Sequence, residues 1–381
     1  MKTHTKNICV AALLIIIGFT ACKKTPGYSV ITDAIYLSEA AQGGSTKLVI
    51  DENGATVTVT PRMAQPATRA IMAKVVVDAA ALNAFNKKNG TNYLPVPAEL
   101  VTLSENTVSI PAGAVSAPAV NVSIRPFTTQ MEQSGDKYAL SLSLTDVSGT
   151  GSLASLSNFV YEFEPVIVTA VPVVNRNNAI KMAMRQDYSL QAWSVEMRVN
   201  MDRLGTSIGQ YNNQALFGAY PSEIYIRFGD APIPGNVLQV KHQGTQINCN
   251  TVFSASKWYH LAFVSDGNQL KIFVNGELDA TLALPGNLTN LSRDQFSMIG
   301  SGSYFVANCM LNEVRFWTKA ISQDQIKNNM YAINPKTDGL EAYWKMNEGV
   351  GNVFADATGH GCTATAAGTV SWSEGVRMPA Q

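Results

Sequence analysis

The chain has 381 residues, of which 46% are apolar and 15% are charged. This length fits two domains or one large one, and the apolar fraction excludes a largely disordered chain. Lysine and arginine together number 28, as do aspartate and glutamate, so the charge gives no reason to expect a nucleic-acid partner. The charged fraction is below the usual value of about 25%, and Val, Thr and Ser fill the difference, which favours an all-β fold.

The N-terminus has the three parts of a secretory signal over residues 1–21. Lys2 and Lys6 supply a basic start, and an apolar run over 8–21 follows. This run is too short to span a bilayer but has the length of a signal-peptide core. A plain signal peptide that is cut elsewhere, or a short core helix, are the alternatives.

The segment Phe19-Thr20-Ala21-Cys22 resembles the lipobox that lipoprotein signal peptidase recognises. The resemblance implies that residues 1–21 are removed, that Cys22 is acylated, and that residues 22–30 are a lipid-anchored tether. Buried acyl chains bind membranes at about 0.8 kcal/mol per CH₂ group. We therefore expect an exported lipoprotein, attached to the outer membrane on either its surface or its periplasmic face.

Three cysteines follow the tether, at Cys249, Cys309 and Cys362. An odd number in an exported protein allows at most one disulfide bond. A bridge between Cys249 and Cys309 and three buried free thiols both remain open.

The composition changes midway, because all five tryptophans lie after residue 190. A linker is predicted over residues 166–177, between a domain at 31–165 and a domain at 178–378. In the first domain, residues 55–60 alternate with the period of a strand. Asp78 predicts the start of a helix over 79–88, which Gly90 ends. About seven strands and this one helix predict a β-sandwich.

The first domain resembles an immunoglobulin-like domain of unknown function that follows the lipid anchor in many Bacteroidota lipoproteins. The resemblance is carried by residues 85–95 (FNKKNGTNYLP), 100–104 and 108–113 (VSIPAG). In that family a glycosidase or a laminin-G-like module lies downstream. A spacer or glycan-contact role is what the resemblance implies.

In the second domain, residues 191–199 alternate, Asn275-Gly276 fits a type I′ hairpin turn, and Ser322 with Gln325 fits a capping box. Trp193, Trp258 and Trp344 are predicted to face the core.

The second domain resembles the laminin-G-like, concanavalin-A-like jelly roll. The resemblance is carried by residues 258–264 (WYHLAFV), 311–317 (LNEVRFW), 340–351 and 356–361. It implies two packed antiparallel sheets. The segment from 340 often opens such modules but closes this one, so the domain is either a family variant or has a rearranged strand order.

No catalytic constellation is found in the sequence. A glycosidase needs two carboxylates across one sugar bond, and the jelly-roll glucanase motif is reduced here to a single acid, Glu196. His260 is interpreted as a structural histidine. The laminin-G-like resemblance implies that Ca²⁺ is a possible ligand, with Asp356 as a weak candidate whose alternative is a turn cap.

Sugar binding by a sandwich needs exposed aromatic rings flanked by amides and charges. Strand alternation puts Ile224, Ile226 and Phe228 inward and their neighbours on the other face. The predicted glycan-binding residues are Tyr211, Tyr220, Glu223, Tyr225, Arg227, Gln239, Lys241 and Tyr304.

The sequence therefore predicts a lipid-anchored, non-catalytic protein that captures a polysaccharide or host glycan for neighbouring glycan-processing or import proteins. The alternatives are a glycoside hydrolase with an unrecognised carboxylate pair, and a protein-binding or structural lipoprotein. The fold resemblance alone does not choose between them.

Overall fold

The computed structural model describes residues 33–209 and 213–379. The predicted signal, the lipidation residue Cys22 and the tether therefore lie outside the described residues. Over the described residues, the N-terminal strands are β1 (Ala34–Leu37), β2 (Ser45–Ile50), β3 (Ala55–Val59), β4 (Pro61–Met63), β5 (Ile71–Val77), β6 (Leu94–Pro95), β7 (Val101–Leu103), β8 (Thr107–Ile110), β9 (Val120–Ile124), β10 (Tyr138–Ser148), β11 (Gly151–Ser152) and β12 (Asn158–Pro165).

The N-terminal domain is a β-sandwich. One sheet has the order β2-β12-β10-β5-β8, with β6 beside β10, and it faces the shorter sheets β3-β9-β7 and β11-β1-β4. Side chains from all three sheets meet in one core, which includes Leu37, Val75 and Val122. The predicted sandwich is confirmed, although it contains more short strands than the sequence indicated, because two- and three-residue strands carry no readable alternation.

Two helices accompany this sandwich within the described residues. Helix α1 (Ala79–Asn89) begins as predicted, since the Asp78 carboxylate accepts hydrogen bonds from the backbone N–H groups of Ala80 and Ala81, and it ends at Gly90. Helix α2 (Thr129–Ser134) was not predicted. It has only six residues, so it shows no full apolar period.

The C-terminal strands are β13 (Ile167–Val174), β14 (Ile180–Ala183), β15 (Tyr188–Leu190), β16 (Trp193–Met201), β17 (Gln214–Pro221), β18 (Ile224–Asp230), β19 (Ile233–His242), β20 (Thr245–Val252), β21 (Tyr259–Ser265), β22 (Gln269–Val274), β23 (Glu277–Ala283), β24 (Thr289–Met298), β25 (Cys309–Trp317), β26 (Leu340–Trp344), β27 (Val353–Phe354), β28 (Thr363–Ala366) and β29 (Ser371–Met378). Helix α3 (Gln323–Asn328) begins at the predicted capping box of Ser322 and Gln325.

These strands form two sheets that pack face to face. The first has the order β23-β22-β21-β16-β25-β13-β29, with β26 beside β25. The second has the order β20-β19-β18-β17-β24-β14-β28-β27, with β15 beside β24. Their inner faces share a core that contains Trp193 and Trp344, both fully buried as predicted. We call the two the first sheet and the second sheet.

The predicted linker over 166–177 is wrong, because Ile167–Val174 forms β13 inside the first sheet. Only Val166 separates β12 from β13, so the chain passes directly from one sandwich to the other. The valines of β13 pair with β25 and β29, and Pro172 lies within the β13–β29 ladder. Proline and the nearby Asn-rich tract suggested a loop, but pairing between distant strands overrides that local signal.

The segment from residue 340 onward supplies the last strands of both sheets. Strand β26 joins β25, β27 and β28 extend the second sheet beside β14, and β29 pairs with β13 at the edge of the first sheet. The last strand therefore lies beside the first strand of the domain.

The two domains contact each other directly. The Asn334 side-chain amide donates to Asp136 Oδ1 at 2.8 Å, and one nitrogen of Arg377 lies 2.9 Å from both carboxylate oxygens of Glu52. Gly135 ends α2 with a φ of 71°, and a Cβ there would lie 2.1 Å from the carbonyl of Ile333. Because this approach is between backbones, only glycine fits at the contact.

Cys249, Cys309 and Cys362 are buried and unbridged, which decides between the two alternatives left open. In the part of the chain that the structure describes, no helix has the length and apolar character needed to cross a membrane.

Candidate functional site

The outer face of the second sheet is the candidate binding surface. Ile224, Ile226 and Phe228 on β18 are fully buried in the sandwich core, as strand alternation predicted. Their neighbours Tyr225 and Arg227 therefore point away from the core. On the adjoining β19, Gln239 lies opposite Arg227 and Lys241 lies opposite Tyr225. The structure thus brings four of the predicted residues together on one face.

A gap between two tyrosine rings is the main feature of this face. Gly218 on β17 pairs with Tyr225 on one side and with Ser297 of β24 on the other. A Cβ at Gly218 would lie 3.4 Å from the Tyr220 ring, 3.6 Å from the Tyr225 ring and 3.5 Å from the Ser297 hydroxyl. Tyr220 and Tyr225 are both half-buried. Gly218 thus leaves a gap of one side chain between two half-buried rings, which pack closely enough that Gly218 itself is buried.

A polar network extends from this gap along the sheet. Arg227 Nε donates to Gln239 Oε1 at 3.1 Å, its Nη2 does so at 2.6 Å, and the guanidinium also pairs with Asp230. Gln239 then donates to Asn248 Oδ1 on β20 at 3.0 Å. Because Arg227 and Gln239 are both buried and hydrogen-bonded to each other, they form a rigid support beneath the surface and are not free to move onto a ligand.

Tyr225 itself is held in place. Its hydroxyl donates to Asn213 Oδ1 at 3.0 Å, and its ring centroid lies 5.3 Å from the Arg227 guanidinium. Partial burial raises the pKa of Tyr225 and of Tyr220, so both phenols stay protonated and can donate hydrogen bonds near neutral pH. A ring fixed on two sides loses little conformational entropy when a ligand stacks on it.

The remaining predicted residues are less central. Glu223 precedes β18 in a turn with a φ of 54°, and its carboxylate lies 3.6 Å from Lys241 Nζ. Tyr304 is 53% exposed in a short helical turn whose Ser301 hydroxyl accepts from the backbone N–H of Ala215 on β17. Tyr211 lies outside the described residues.

Sequence reasoning missed Gly218, Ser297 and Asn248. Gly218 is the one that a sequence signal could have found, because a glycine inside a strand often marks a close approach by a ligand or another chain. Ser297 and Asn248 reach the face only through the pairing of β17 with β24 and of β19 with β20. Pairing between separate strands leaves no mark in the local sequence.

The outer face of the first sheet holds a buried charge network. Arg315 lies between two carboxylates, with Nη2 2.5 Å from Glu313 Oε2 and Nη1 3.6 Å from Glu196 Oε1. His260 Nε2 is 3.4 Å from Glu196, and the Tyr343 hydroxyl donates to Glu313 at 2.5 Å. Burial is the largest influence on the pKa of His260 and lowers it, so the imidazole is neutral near pH 7.

The segment 318–339, which carries α3, covers this network. Its Ile321, Ile326 and Ile333 pack with Trp317 and Tyr343 in a separate apolar cluster. The network is therefore shielded from solvent, and Glu196 and Glu313 share one arginine instead of flanking an open sugar site. The predicted structural role of His260 agrees with this burial.

Trp258 does not lie in the core, so its predicted position is wrong. It precedes β21, and the Arg198 guanidinium stacks 4.7 Å above its ring on the covered face. Tyr259 takes the core position. Trp258 has the same parity as His260, so both project to the outer face of the sheet.

Asp356 acts as a turn cap. Its Oδ1 accepts from the backbone N–H groups of Tyr343 at 3.2 Å and of Thr358 at 3.0 Å, and its Oδ2 accepts from that of Cys362 at 3.1 Å. The Thr358 hydroxyl adds a further donor. Donors, not the oxygen ligands that Ca²⁺ requires, surround this carboxylate, so the residues do not fit a calcium site. The described residues also contain no cluster of three His, Cys, Asp or Glu side chains that could hold a metal.

Two family models match different parts of the chain. Residues 175–327 match the model of the concanavalin A-like lectin/glucanase superfamily. Residues 29–151 match a second model, which is described as an N-terminal domain. The C-terminal domain is therefore a laminin-G-like, concanavalin A-like module, as the sequence resemblance indicated. No curated protein matches this chain.

Among solved structures, the chain resembles a candidate carbohydrate-binding protein from Bacteroides ovatus. The two share 21% identity and a TM-score of 0.64, and the match covers 90% of this chain and 97% of the other. A heptameric pentraxin from Limulus polyphemus matches with 14% identity over 54% of this chain and 95% of the other, at a TM-score of 0.35. At these identities the first match shows a common two-domain fold, and the second adds nothing further.

Proposed function

We propose that this protein binds carbohydrate on the outer face of the second sheet, with Tyr220 and Tyr225 as stacking platforms. The observation that carries the proposal is the pair of half-buried rings at Gly218, which lie side by side on the sheet face with no side chain between them. Apolar ring faces of pyranoses suit such aromatic surfaces, and the partly exposed Ser297 hydroxyl and Lys241 ammonium can hydrogen-bond hydroxyls. The Bacteroides ovatus protein is described as a candidate carbohydrate-binding protein, which supports the same class of ligand.

The proposed mechanism is capture without bond cleavage. The two carboxylates of the charge network, Glu196 and Glu313, lie on the first sheet beneath a covering segment. The tyrosine gap lies on the second sheet. The proposal further holds that Cys22 carries the lipid anchor that keeps the bound glycan at the outer membrane. Neighbouring glycan-processing or import proteins would receive it there.

A binding experiment tests the proposal directly. Purified protein is applied to a panel of immobilised polysaccharides and host glycans, with Ca²⁺ and with a chelator in parallel. We expect retention by one glycan class, and a loss of at least tenfold in affinity for Tyr225→Ala. Tyr36→Ala, a tyrosine on β1 of the other domain, is the control variant and keeps full affinity. If no glycan retains the protein, or if Tyr225→Ala binds as the parent does, the proposal is wrong.

The anchor is tested separately. The full chain and its Cys22→Ala variant are expressed in a bacterium that processes lipoproteins, and membrane and soluble fractions are compared after metabolic labelling with a fatty acid. We expect label and membrane attachment for the parent and neither for the variant. Equal partitioning of the two would contradict the lipid anchor and would leave the binding proposal unaffected.

A further inference from the structure

A cavity lies between the two domains, away from the sheet face described above. Its volume is about 310 Å³, which reaches the size range of small-ligand sites. Val49, Met131 and Phe163 line it from the N-terminal domain, and Met330 and Tyr331 line it from the segment that covers the first sheet. Clefts between domains are among the preferred places for ligand sites.

The walls combine apolar surface with charges of both signs. Carboxylates number four and lysines three, so the cavity as a whole favours neither a strongly anionic nor a strongly cationic ligand. Several of these charges are already paired, because Lys47 contacts Glu164, Lys327 contacts Glu277, and the Tyr93 hydroxyl donates to Glu162 at 2.7 Å. The charged lining residues are Lys47, Glu132, Asp136, Lys137, Glu162, Glu164 and Lys327.

Four of these charged groups make no ion pair within the part of the chain that the structure describes. Asp136 and Glu162 accept hydrogen bonds from the neutral side chains of Asn334 and Tyr93, whereas Glu132 and Lys137 have no side-chain partner among the described residues. The Glu132 carboxylate is half-buried, and burial, which no described charged partner offsets, raises its pKa. Lys137 donates only to the backbone carbonyl of Asn328, and burial lowers its pKa. Partly buried polar groups without full partners are costly, so a ligand that hydrogen-bonds both is stabilised there.

We propose that this interdomain cavity is a second binding site, for a single neutral sugar ring. A sugar presents hydroxyls that donate to Glu132 and accept from Lys137, and it carries no charge that the balanced walls would oppose. Its C–H faces would pack against Met131, Phe163 and Met330. A ligand with a single charge would match only one of Glu132 and Lys137. This inference extends the proposed carbohydrate function to a site that both domains build.

The inference gives the N-terminal domain a part in binding. Glu132 and Gly135 belong to α2 and its end, and α2 is fixed against the other domain by the contacts of Gly135 and Asp136. The cavity therefore exists only while the two domains are docked. A spacer alone would not need such a fitted contact.

The test uses the intact purified protein and four probes, the methyl glycosides of glucose, galactose, mannose and N-acetylglucosamine, in calorimetric titrations. Val49→Trp fills the mouth of the cavity from an exposed position, since Val49 is 52% exposed. Val77→Trp is the matched control, because Val77 is a strand residue of the same domain, 45% exposed, and does not line the cavity. Glu132→Ala removes the unpaired acceptor.

We expect one probe to bind, with affinity lowered about tenfold or more by Val49→Trp and by Glu132→Ala, and unchanged by Val77→Trp and Tyr225→Ala. If Val49→Trp does not fold, Glu132→Ala decides alone. No binding of any probe at millimolar concentration overturns the inference. A probe whose affinity falls with Tyr225→Ala but not with the cavity variants also overturns it, while leaving the sheet-face proposal standing. If the sheet-face proposal fails, the expected effects of the cavity variants on probe affinity stay the same.

Discussion

Replacing Gly218 with valine separates binding from stability at the tyrosine gap. A Cβ at this position would make ordinary contacts, at 3.4 Å to Tyr220, 3.5 Å to Ser297 and 3.6 Å to Tyr225. The two methyl groups of valine reach about 1.5 Å further and occupy the space between the rings. A ligand could then no longer stack on both tyrosines.

Gly218→Val acts separately on the stability of the fold and on glycan binding. Gly218 lies in β17 with ordinary strand dihedrals, so the backbone alone favours a β-branched residue there by about 0.5–1 kcal/mol. That gain would raise the Tm by about 2–4 °C per kcal/mol for a domain of this size. Loss of stacking on two rings is expected to weaken glycan binding by about 1–3 kcal/mol, or roughly fivefold to 150-fold.

The assay pairs calorimetric unfolding with titration of the glycan that retains the parent protein. Gly218→Ala is the matched control, because its single methyl group fits without entering the gap, and it should bind within about threefold of the parent. A Gly218→Val protein that is stable and binds as tightly as the parent would refute the role of the gap. A variant that loses binding because the added methyl groups crowd the rings and loosen the fold would show a lowered Tm, which distinguishes it from loss of stacking alone.

Two further predictions concern the domain contact and the charge network. Gly135→Ala is expected to lower the Tm by more than Gly90→Ala, because both glycines end helices with positive φ but only Gly135 has a backbone within 2.1 Å of the new Cβ; equal losses by calorimetry would contradict the close contact. Gly90→Ala should cost about 1 kcal/mol from the left-handed conformation alone. His260 has a pKa lowered by burial, so the unfolded chain takes up a proton below about pH 6.5 that the folded chain does not. Stability is therefore present above that pH and is lost as the pH falls, by at most about 1.4 kcal/mol per pH unit for this group. His260→Gln should flatten this dependence in urea unfolding at pH 7.5, 6.5 and 5.5, without abolishing it, since burial also lowers the pKa of His242; parallel curves for parent and variant would count against the assignment.

Features set by neighbouring residues could be read from the sequence. The cap of Asp78 on α1, the capping box of Ser322 and Gln325, and the positive φ values of Asn275 and Gly276 all lie where the local pattern predicted them. The inward positions on β18 were equally readable, because alternation depends only on the parity of successive residues. The two-sandwich fold followed from such signals together with the family resemblance.

Features set by pairing between distant strands could not be read. The Ile167–Val174 segment looked like a linker because of Pro172, yet it is a strand held between β25 and β29. Trp258 looked like a core residue in an apolar run, yet it lies under Arg198 on the covered face. In both cases a residue far away in sequence decided the environment.

The candidate sites also combine features set locally with features set by distant parts of the chain. The sequence by itself determined which side chains of β18 and β19 point outward, since that depends on a period of two residues along one strand. Only the tertiary structure placed Gly218 and Ser297 between Tyr220 and Tyr225, and only domain docking built the cavity around Glu132 and Lys137. Local geometry sets the direction of a side chain, but its neighbours come from register and packing between segments that are far apart in the chain.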